Sequence, residues 1–233
     1  MKDLFGKAML DYQNGNYTED LITATSISDE DVLPLPYLFR NFEEMPKLEQ
    51  KALQLSKGIV LDVGCGSGSH SLYLQNKGLL VKAIDISKGA IETAKLRGVQ
   101  NAEVKDILYE TETFDTILLL MNGTGVFQEL SQISKYLKHL KSILNPKGQI
   151  LVDSSDIKYM YEDEDGGFWI DGHSNYYGEL DYYLSYKGED ETPFKMLYLD
   201  FDTLYSACET VGLKCELVLE GDHYDYLARI SLI

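Results

Sequence analysis

Cysteine is scarce in this chain: Cys65, Cys208 and Cys215 are its only three. They show neither metal-ligand spacing nor a disulfide framework, so neither a structural zinc site nor a disulfide-stapled scaffold is expected, and a reducing cytosol suits them. Long apolar runs are missing too. No stretch approaches the ~18 residues of a membrane span, and the N-terminal MKDLFGKAMLDYQNG lacks the apolar core of a signal peptide. These absences predict a cytoplasmic protein with no metal and no membrane partner. Positive charge is sparse, with 21 Lys and Arg facing 38 Asp and Glu for a net charge of −17. Affinity for a phosphate backbone comes from clustered Lys and Arg, so no nucleic-acid partner is expected, and the acidity is read as an aid to solubility. Tryptophan occurs once, at Trp169, and no repeat period is visible.

What is present is a rhythm of strands and helices. With 44% hydrophobic and 25% charged residues over 233 positions, the chain suits one substantial α/β core and is short for two full enzyme domains. Met45, Leu48, Ala52 and Leu55 share one face of a helix within residues 43–56. Next comes IVLDVGCGSGSHSLYL, residues 59–74, which reads as strand, tight turn and helix. GLLVKAID (78–85) is a second strand ending in Asp85, after which Ser87 caps a helix that stops at Gly98. AEVKD is a short third strand ending in Asp106. FDTILLLM (114–121) has the unbroken apolar character of a central parallel strand and is ended by Asn122, Gly123 and Gly125. Leu130, Ile133, Leu137, Leu140 and Leu144 then fall at helical spacing, NPKG reads as a turn, and GQILVDSS is a fifth strand. Such alternation predicts a doubly wound, mostly parallel sheet.

Three segments lie outside that rhythm. Residues 1–42 form an N-terminal arm, with weak helical signals around Phe5, Met9 and Leu10 and an irregular stretch through Pro34 and Pro36. Residues 155–198 form an insertion, read as a loop with one or two antiparallel strands, that carries YEDEDGG, Trp169 and the tyrosine-rich YYGELDYYLSYKG. Residues 199–233 read as a helix at about 201–211, ended by Gly212, and a closing β-hairpin. With the core at 43–154, the whole chain, 1–233, is expected to be a single domain.

The glycine turn suggests the chemistry. Gly64, Gly66 and Gly68 recur at two-residue spacing, and a turn without Cβ atoms lets backbone N–H groups approach a ligand closely. Asp62 sits at the carboxyl end of the strand, where ligands of open α/β sheets bind. A nicotinamide-binding fingerprint requires its third glycine at position 69, which is Ser69 here, while Gly68 breaks that spacing. Together with Asp85, Asp106 and the closing hairpin, the pattern resembles the class I S-adenosylmethionine-dependent methyltransferases. The likeness runs motif by motif over residues 43–154 and by topology over 200–233.

That resemblance implies a seven-stranded Rossmann-like sheet with its last strand antiparallel, and S-adenosylmethionine as cofactor. It implies that Asp62 meets the methionine ammonium and that Gly64, Cys65, Gly66 and Gly68 form the turn along which the cofactor lies. Asp85 would accept the ribose hydroxyls, Ile86 pack on the adenine, Asp106 accept from its amine and Ile107 lend a backbone N–H. Backbone around Met121 and Asn122 would sit beside the sulfonium.

Other assignments stand on the residues alone. Arg40 is the only cation between Lys7 and Lys47; it either reaches the cofactor carboxylate or an anionic substrate, or packs its stem on Phe39 and Phe42 at the surface. His70, just past the turn, is read as surface or packing. His173, Trp169, Tyr176 and Tyr177 in the insertion, with Asp156, are candidates for an acceptor pocket. No side chain announces itself as catalytic, since methyl transfer to a lone pair needs chiefly alignment and desolvation. Met121-Asn122-Gly123-Thr124 stands where, by the same resemblance, amino-methylases of DNA bases carry Asn/Asp-Pro-Pro-aromatic, which speaks against that activity; the expectation is a small-molecule acceptor under a lid formed by the arm and the insertion. The alternative is a module that binds S-adenosylmethionine as a sensor or partner subunit without transferring its methyl group.

Overall fold

A computed structural model of the chain describes residues 2–162 and 176–233. The arm begins with helix α1 (Leu4–Gln13), followed by strands β1 (Leu21–Thr25) and β2 (Ser28–Leu33). Helix α2 (Lys47–Leu55) leads into β3 (Ile59–Val63), α3 (Ser69–Asn76), β4 (Leu80–Asp85), α4 (Lys88–Arg97), β5 (Ala102–Val104) and β6 (Phe114–Leu119). Helix α5 (Ile133–Ser142) and β7 (Leu144–Ser155) complete the alternating core. The insertion contributes β8 (Glu179–Tyr186), β9 (Glu189–Asp190) and β10 (Phe194–Leu197), and the chain ends with α6 (Phe201–Thr210), β11 (Leu213–Glu220) and β12 (Asp225–Leu232).

Seven strands form one sheet in the order β11-β12-β7-β6-β3-β4-β5. Neighbours from β7 to β5 are parallel, while β12 runs antiparallel to both β7 and β11. Consecutive residues of the central strands enter opposite layers, which is why these strands are apolar throughout rather than alternating. Leu61, Ile117, Leu119, Ile150 and Val152 pack with α5 and α6, whereas Val60, Leu118 and Leu151 pack with α2 and α3. Local signals set the helix ends: Ser87 Oγ accepts from Ala90 N at 2.9 Å, and Gly98 ends α4 at φ +105°. Burial on both faces places the functional groups at the strand ends.

The arm and the insertion, separated by more than a hundred residues, build a second sheet together. Its order is β10-β8-β1-β2, with β9 added to β8, and β1 pairs antiparallel with β8 from Ile22↔Ser185 to Thr25↔Tyr182. Two expectations are corrected here. Residues 21–33, expected to be irregular, form a hairpin: β8, distant in the chain, pairs with β1, and β2, whose Asp29, Glu30 and Asp31 are exposed and read locally as loop, is the edge strand paired with β1. NPKG is not a free turn: it bulges out within β7, between the Phe114↔Leu144 and Thr116↔Gln149 pairs, with Lys147 at φ +66°.

Helix α1 lies against α4. A Cβ at Gly89 would stand 2.4 Å from Gly6 C, so the two backbones touch at paired glycines. Asp3 accepts from Gly6 N at 3.2 Å and from Gly89 N at 3.0 Å, joining both helices. Buried Glu191 of the insertion accepts from Lys2 N at 2.7 Å and Leu4 N at 3.1 Å. The start of α1 is therefore pinned from both sides.

Candidate functional site

The three glycines of the turn have different surroundings. Gly64 and Gly66 hold φ of +70° and +53°; a Cβ at Gly64 meets nothing within 4 Å, and one at Gly66 meets only Met9 Sδ at 3.9 Å. Their surface is open and glycine keeps it so. Gly68, at φ +84°, lies 2.7 Å from Val99 Cγ2 by the same measure, so its missing Cβ lets the turn pack against the end of α4. Cys65, between two of these glycines, turns its side chain inward. Its thiol lies in the core with Ala83 and Ile91, and its N–H donates to Ile84 O at 3.1 Å, because the turn must close its own hydrogen bonds against β4.

Two further strand ends meet this turn. Asp85 accepts from Gly66 N at 3.0 Å and from Ser87 N at 2.8 Å while remaining partly exposed. Burial raises its pKa, opposed by those amides and reinforced by Asp3 and Asp62. Ile86 beside it is 57% exposed, an uncovered apolar side chain at the end of β4. Asp106 is half-buried and accepts from Leu108 N at 2.8 Å, whereas the Ile107 side chain is in the core.

Beneath the turn lies an ionic network. Buried Asp62 accepts from Ser71 Oγ at 2.5 Å; desolvation raises its pKa, and His70 and Ser71 oppose that rise. His70 is buried and pairs through Nε2 with Glu49 Oε2 at 2.6 Å. Burial disfavours the imidazolium, yet the Glu49 bond and the Asp62 and Glu49 charges raise its pKa above the ordinary value. Glu49 also pairs with Arg40, whose guanidinium lies 3.9 Å over the Tyr37 ring.

Arg40 is thus not a surface residue: it is 6% exposed, and its Nε has no hydrogen-bond partner among the described residues. The segment around it rests on the turn, since Leu38 O accepts from both Ser67 and Ser69, and Arg97 bonds Ser67 O at 2.9 Å and Phe39 O at 3.2 Å. His70, expected at the surface or in packing, is part of this network, drawn inward by Glu49 from α2. Sequence reasoning missed Glu49, because nothing local distinguishes a buried carboxylate from a solvated one.

At the end of β6 the backbone is strained. Met121 and Asn122 both adopt left-handed φ, +65° and +59°. Each such residue costs roughly 1–2 kcal/mol. Asp153, 8% exposed, holds the turn by accepting from Met121 N at 3.0 Å and Gly123 N at 2.9 Å. Asn122 Oδ1 accepts from Ser154 Oγ at 3.1 Å, and Thr124 Oγ1 donates to Leu197 O of β10 at 2.9 Å. The turn is fastened to both sheets.

The acceptor candidates that are described come together after β7. Tyr177 Oη donates to Asp156 Oδ1 at 2.8 Å and lies 3.3 Å from Asp200 Oδ2, and Tyr176 Oη donates to Asp200 as well. Burial, and the carboxylates that accept from them, push both phenols up, so neither is a phenolate at neutral pH. Asp156 also borders a small cavity with Lys158, Tyr159, Glu162 and Tyr224. Trp169 and His173 lie outside the described residues. Among the described residues no helix is long and apolar enough to cross a membrane.

This fold, a seven-stranded sheet whose strand β12 runs antiparallel, is the class I methyltransferase architecture. Residues 61–152 match the family described as methyltransferase domain. A solved S-adenosylmethionine-dependent methyltransferase from Bacteroides fragilis, in complex with S-adenosyl-L-homocysteine, is 44% identical over 99% of this chain and 95% of its own, with TM-score 0.93. The chain belongs to the class I S-adenosylmethionine-dependent methyltransferases, and its cofactor is S-adenosylmethionine. A putative methyltransferase from Geobacillus sp. (strain WCH70) is 25% identical over 114 residues, so that the match spans less than half of either chain, 46% of each. The amino pentose methyltransferase CalS10 from Micromonospora echinaspora shares the fold at 13% identity, over 82% of this chain and 94% of its own, with TM-score 0.57.

Proposed function

We propose that the chain transfers the methyl group of S-adenosylmethionine to a small-molecule acceptor. The observation that carries the cofactor side is the junction of the open Gly64 and Gly66 surface with Asp85, Asp62 and the unpartnered Arg40 Nε. These groups fit the cofactor. Asp85 offers lone pairs to the ribose diol, Ile86 an apolar face to adenine, and Asp106 and the Ile107 backbone an acceptor and a donor to its ring edge. Asp62 faces the methionine ammonium, and Arg40, held by Glu49, faces the carboxylate. Bound S-adenosylmethionine supplies a methyl group made electrophilic by its sulfonium.

The protein's part in the transfer is alignment and exclusion of water. Met121 and Asn122 border the reacting carbon, while Tyr176, Tyr177 and Asp156 line the acceptor side. The sheet shared by the arm and the insertion supports a lid over that side; an amino pentose, the substrate class named for CalS10, is one candidate acceptor. Carboxylates at Asp156 and Asp200 favour an acceptor with an amine, whose conjugate acid they attract.

The test is release of S-adenosylhomocysteine over a panel of small amines, small alcohols, peptides and oligonucleotides. Release with a small molecule, and none with the oligonucleotides, is the expected result. Release with a macromolecule alone overturns the acceptor assignment, and binding of cofactor with no release from any member points to a sensor.

A further inference from the structure

Asp153 carries no part of the cofactor motifs, yet it is the buried carboxylate on which the strained turn depends. Both its oxygens accept backbone N–H groups, Met121 N on Oδ2 and Gly123 N on Oδ1. Between those two donors the chain takes successive left-handed residues, neither of them glycine. Neighbours limit any relaxation: a Cβ at Gly123 would stand 2.6 Å from Leu119 Cβ, and one at Gly125 would stand 2.3 Å from Met196 Sδ. Ser154, the next residue, bonds Asn122 and Thr124 and accepts from Leu199 N at 2.9 Å. The Asn122 carbonyl is taken by Gly125 N, whereas Met121 is 42% exposed at the cleft.

The geometry points to Asp153 as a positioning residue for methyl transfer: its two accepted hydrogen bonds fix the Met121–Asn122 turn so that the Met121 carbonyl faces the departing methyl group and the incoming N–H of the acceptor. The inference rests on the reading that this turn borders the sulfonium, and it adds the group that sets the turn's shape. An N–H donor at the transfer position therefore gains affinity from the turn only while Asp153 is ionised, since a protonated carboxyl loses one of its two acceptor oxygens to its own proton. Glu49 and His70 face Asp153 from α2 and α3, and Tyr37 and Tyr226 from the segments packed beside it. Burial, with the Glu49 charge, pushes the Asp153 carboxyl up to about 6, against the two amides and His70. The switch thus falls in an accessible pH range.

Two ligands read the position without any acceptor. S-adenosylhomocysteine leaves the transfer position empty, and sinefungin places a C–NH3+ group where the methyl group stands. Their affinities are measured by calorimetry from pH 5 to 8, for the natural protein and for Asp153→Asn, which keeps the shape and replaces one acceptor by a donor. In the natural protein, sinefungin is expected to be preferred at pH 8, and that preference to fall about tenfold below pH 6, the loss of one charge-assisted hydrogen bond. In Asp153→Asn the preference is expected to be low and independent of pH, with S-adenosylhomocysteine affinity within about twofold of the natural protein, since the altered bonds do not touch it. A preference unchanged by pH in the natural protein, or one retained in the variant, overturns the inference. The pH series decides the matter even if the variant does not fold. If neither ligand binds the natural protein, the cofactor-site reading fails and the inference with it, whereas binding of both without preference sinks the inference alone.

Discussion

Gly64 and Gly68 look alike in the sequence, and a methyl group added to each is expected to fail differently. At Gly68 an alanine combines left-handed strain with a collision at Val99. The cost is about 2 kcal/mol or more, a fall of roughly 5 °C in melting temperature. At Gly64 the added carbon meets open space, so stability falls by only about 1 kcal/mol, while S-adenosylhomocysteine affinity drops about tenfold because the cleft is filled. Thermal unfolding and calorimetric titration of both variants separate the two roles. Asp85→Ala is expected to weaken S-adenosylhomocysteine binding about 100-fold by calorimetry, the loss of two charge-assisted hydrogen bonds at roughly 1.5 kcal/mol each. Unchanged affinity would remove Asp85 from the ribose position. The placement of Asp62, Asp85 and Asp106 at or just past the carboxyl ends of β3, β4 and β5 was legible because each closes a local apolar run. Glu49 and Asp153 were not, since a carboxylate becomes a buried clamp only when distant backbone or side-chain donors converge on it.

At the scale of the elements, α1 links the cofactor edge to the second sheet. Its Gly6 touches Gly89 of α4, its Met9 lies beside Gly66, and Glu191 of the insertion receives the amides at its start. Gly89→Ala places a carbon where the Gly6 backbone stands, so α1 is expected to lift from α4. Hydrogen exchange should then quicken over residues 4–13, with β3 and β6 unchanged, and S-adenosylhomocysteine should bind more weakly. Uniform exchange across the chain would show instead that α1 is not a separate cover. The alternating core was legible because its strands and helices follow local hydrophobic periods and cap residues such as Ser87 and Gly98. The β1–β2 hairpin was not. Its inner strand, β1, pairs with β8, a partner about 160 positions away, and no local pattern encodes that pairing.

Across the whole molecule the charge pattern makes stability depend on pH. Buried Glu110 pairs with Lys82 at 2.9 Å and Lys105 at 3.3 Å. Although burial opposes its charge, the amides of Glu112 and Thr111 and the Lys82 ammonium hold its pKa at about 2, below the ordinary 4.5. A depressed carboxylate pKa stabilises the fold above pH 4.5 and loses that contribution as pH falls towards 2. Glu110→Gln is therefore expected to be roughly 1.5 kcal/mol less stable at pH 7, because Lys82 loses one carboxylate while keeping Glu112 at 2.6 Å, and to lose less stability between pH 4.5 and 2 than the natural protein. Urea denaturation over that range checks both. Asp153 acts in the opposite sense: its raised pKa adds stability below 3.8 that is lost as pH rises through about 6.

The central claim, that the cofactor lies along the carboxyl ends of β3, β4, β5 and β6, is tested most directly by amide NMR during titration with S-adenosylhomocysteine. The account predicts shifts at Gly64, Gly66, Ile86, Ile107, Met121 and Met9. Shifts confined to the opposite end of the sheet, around Lys57, Lys147 and Arg229, would contradict it.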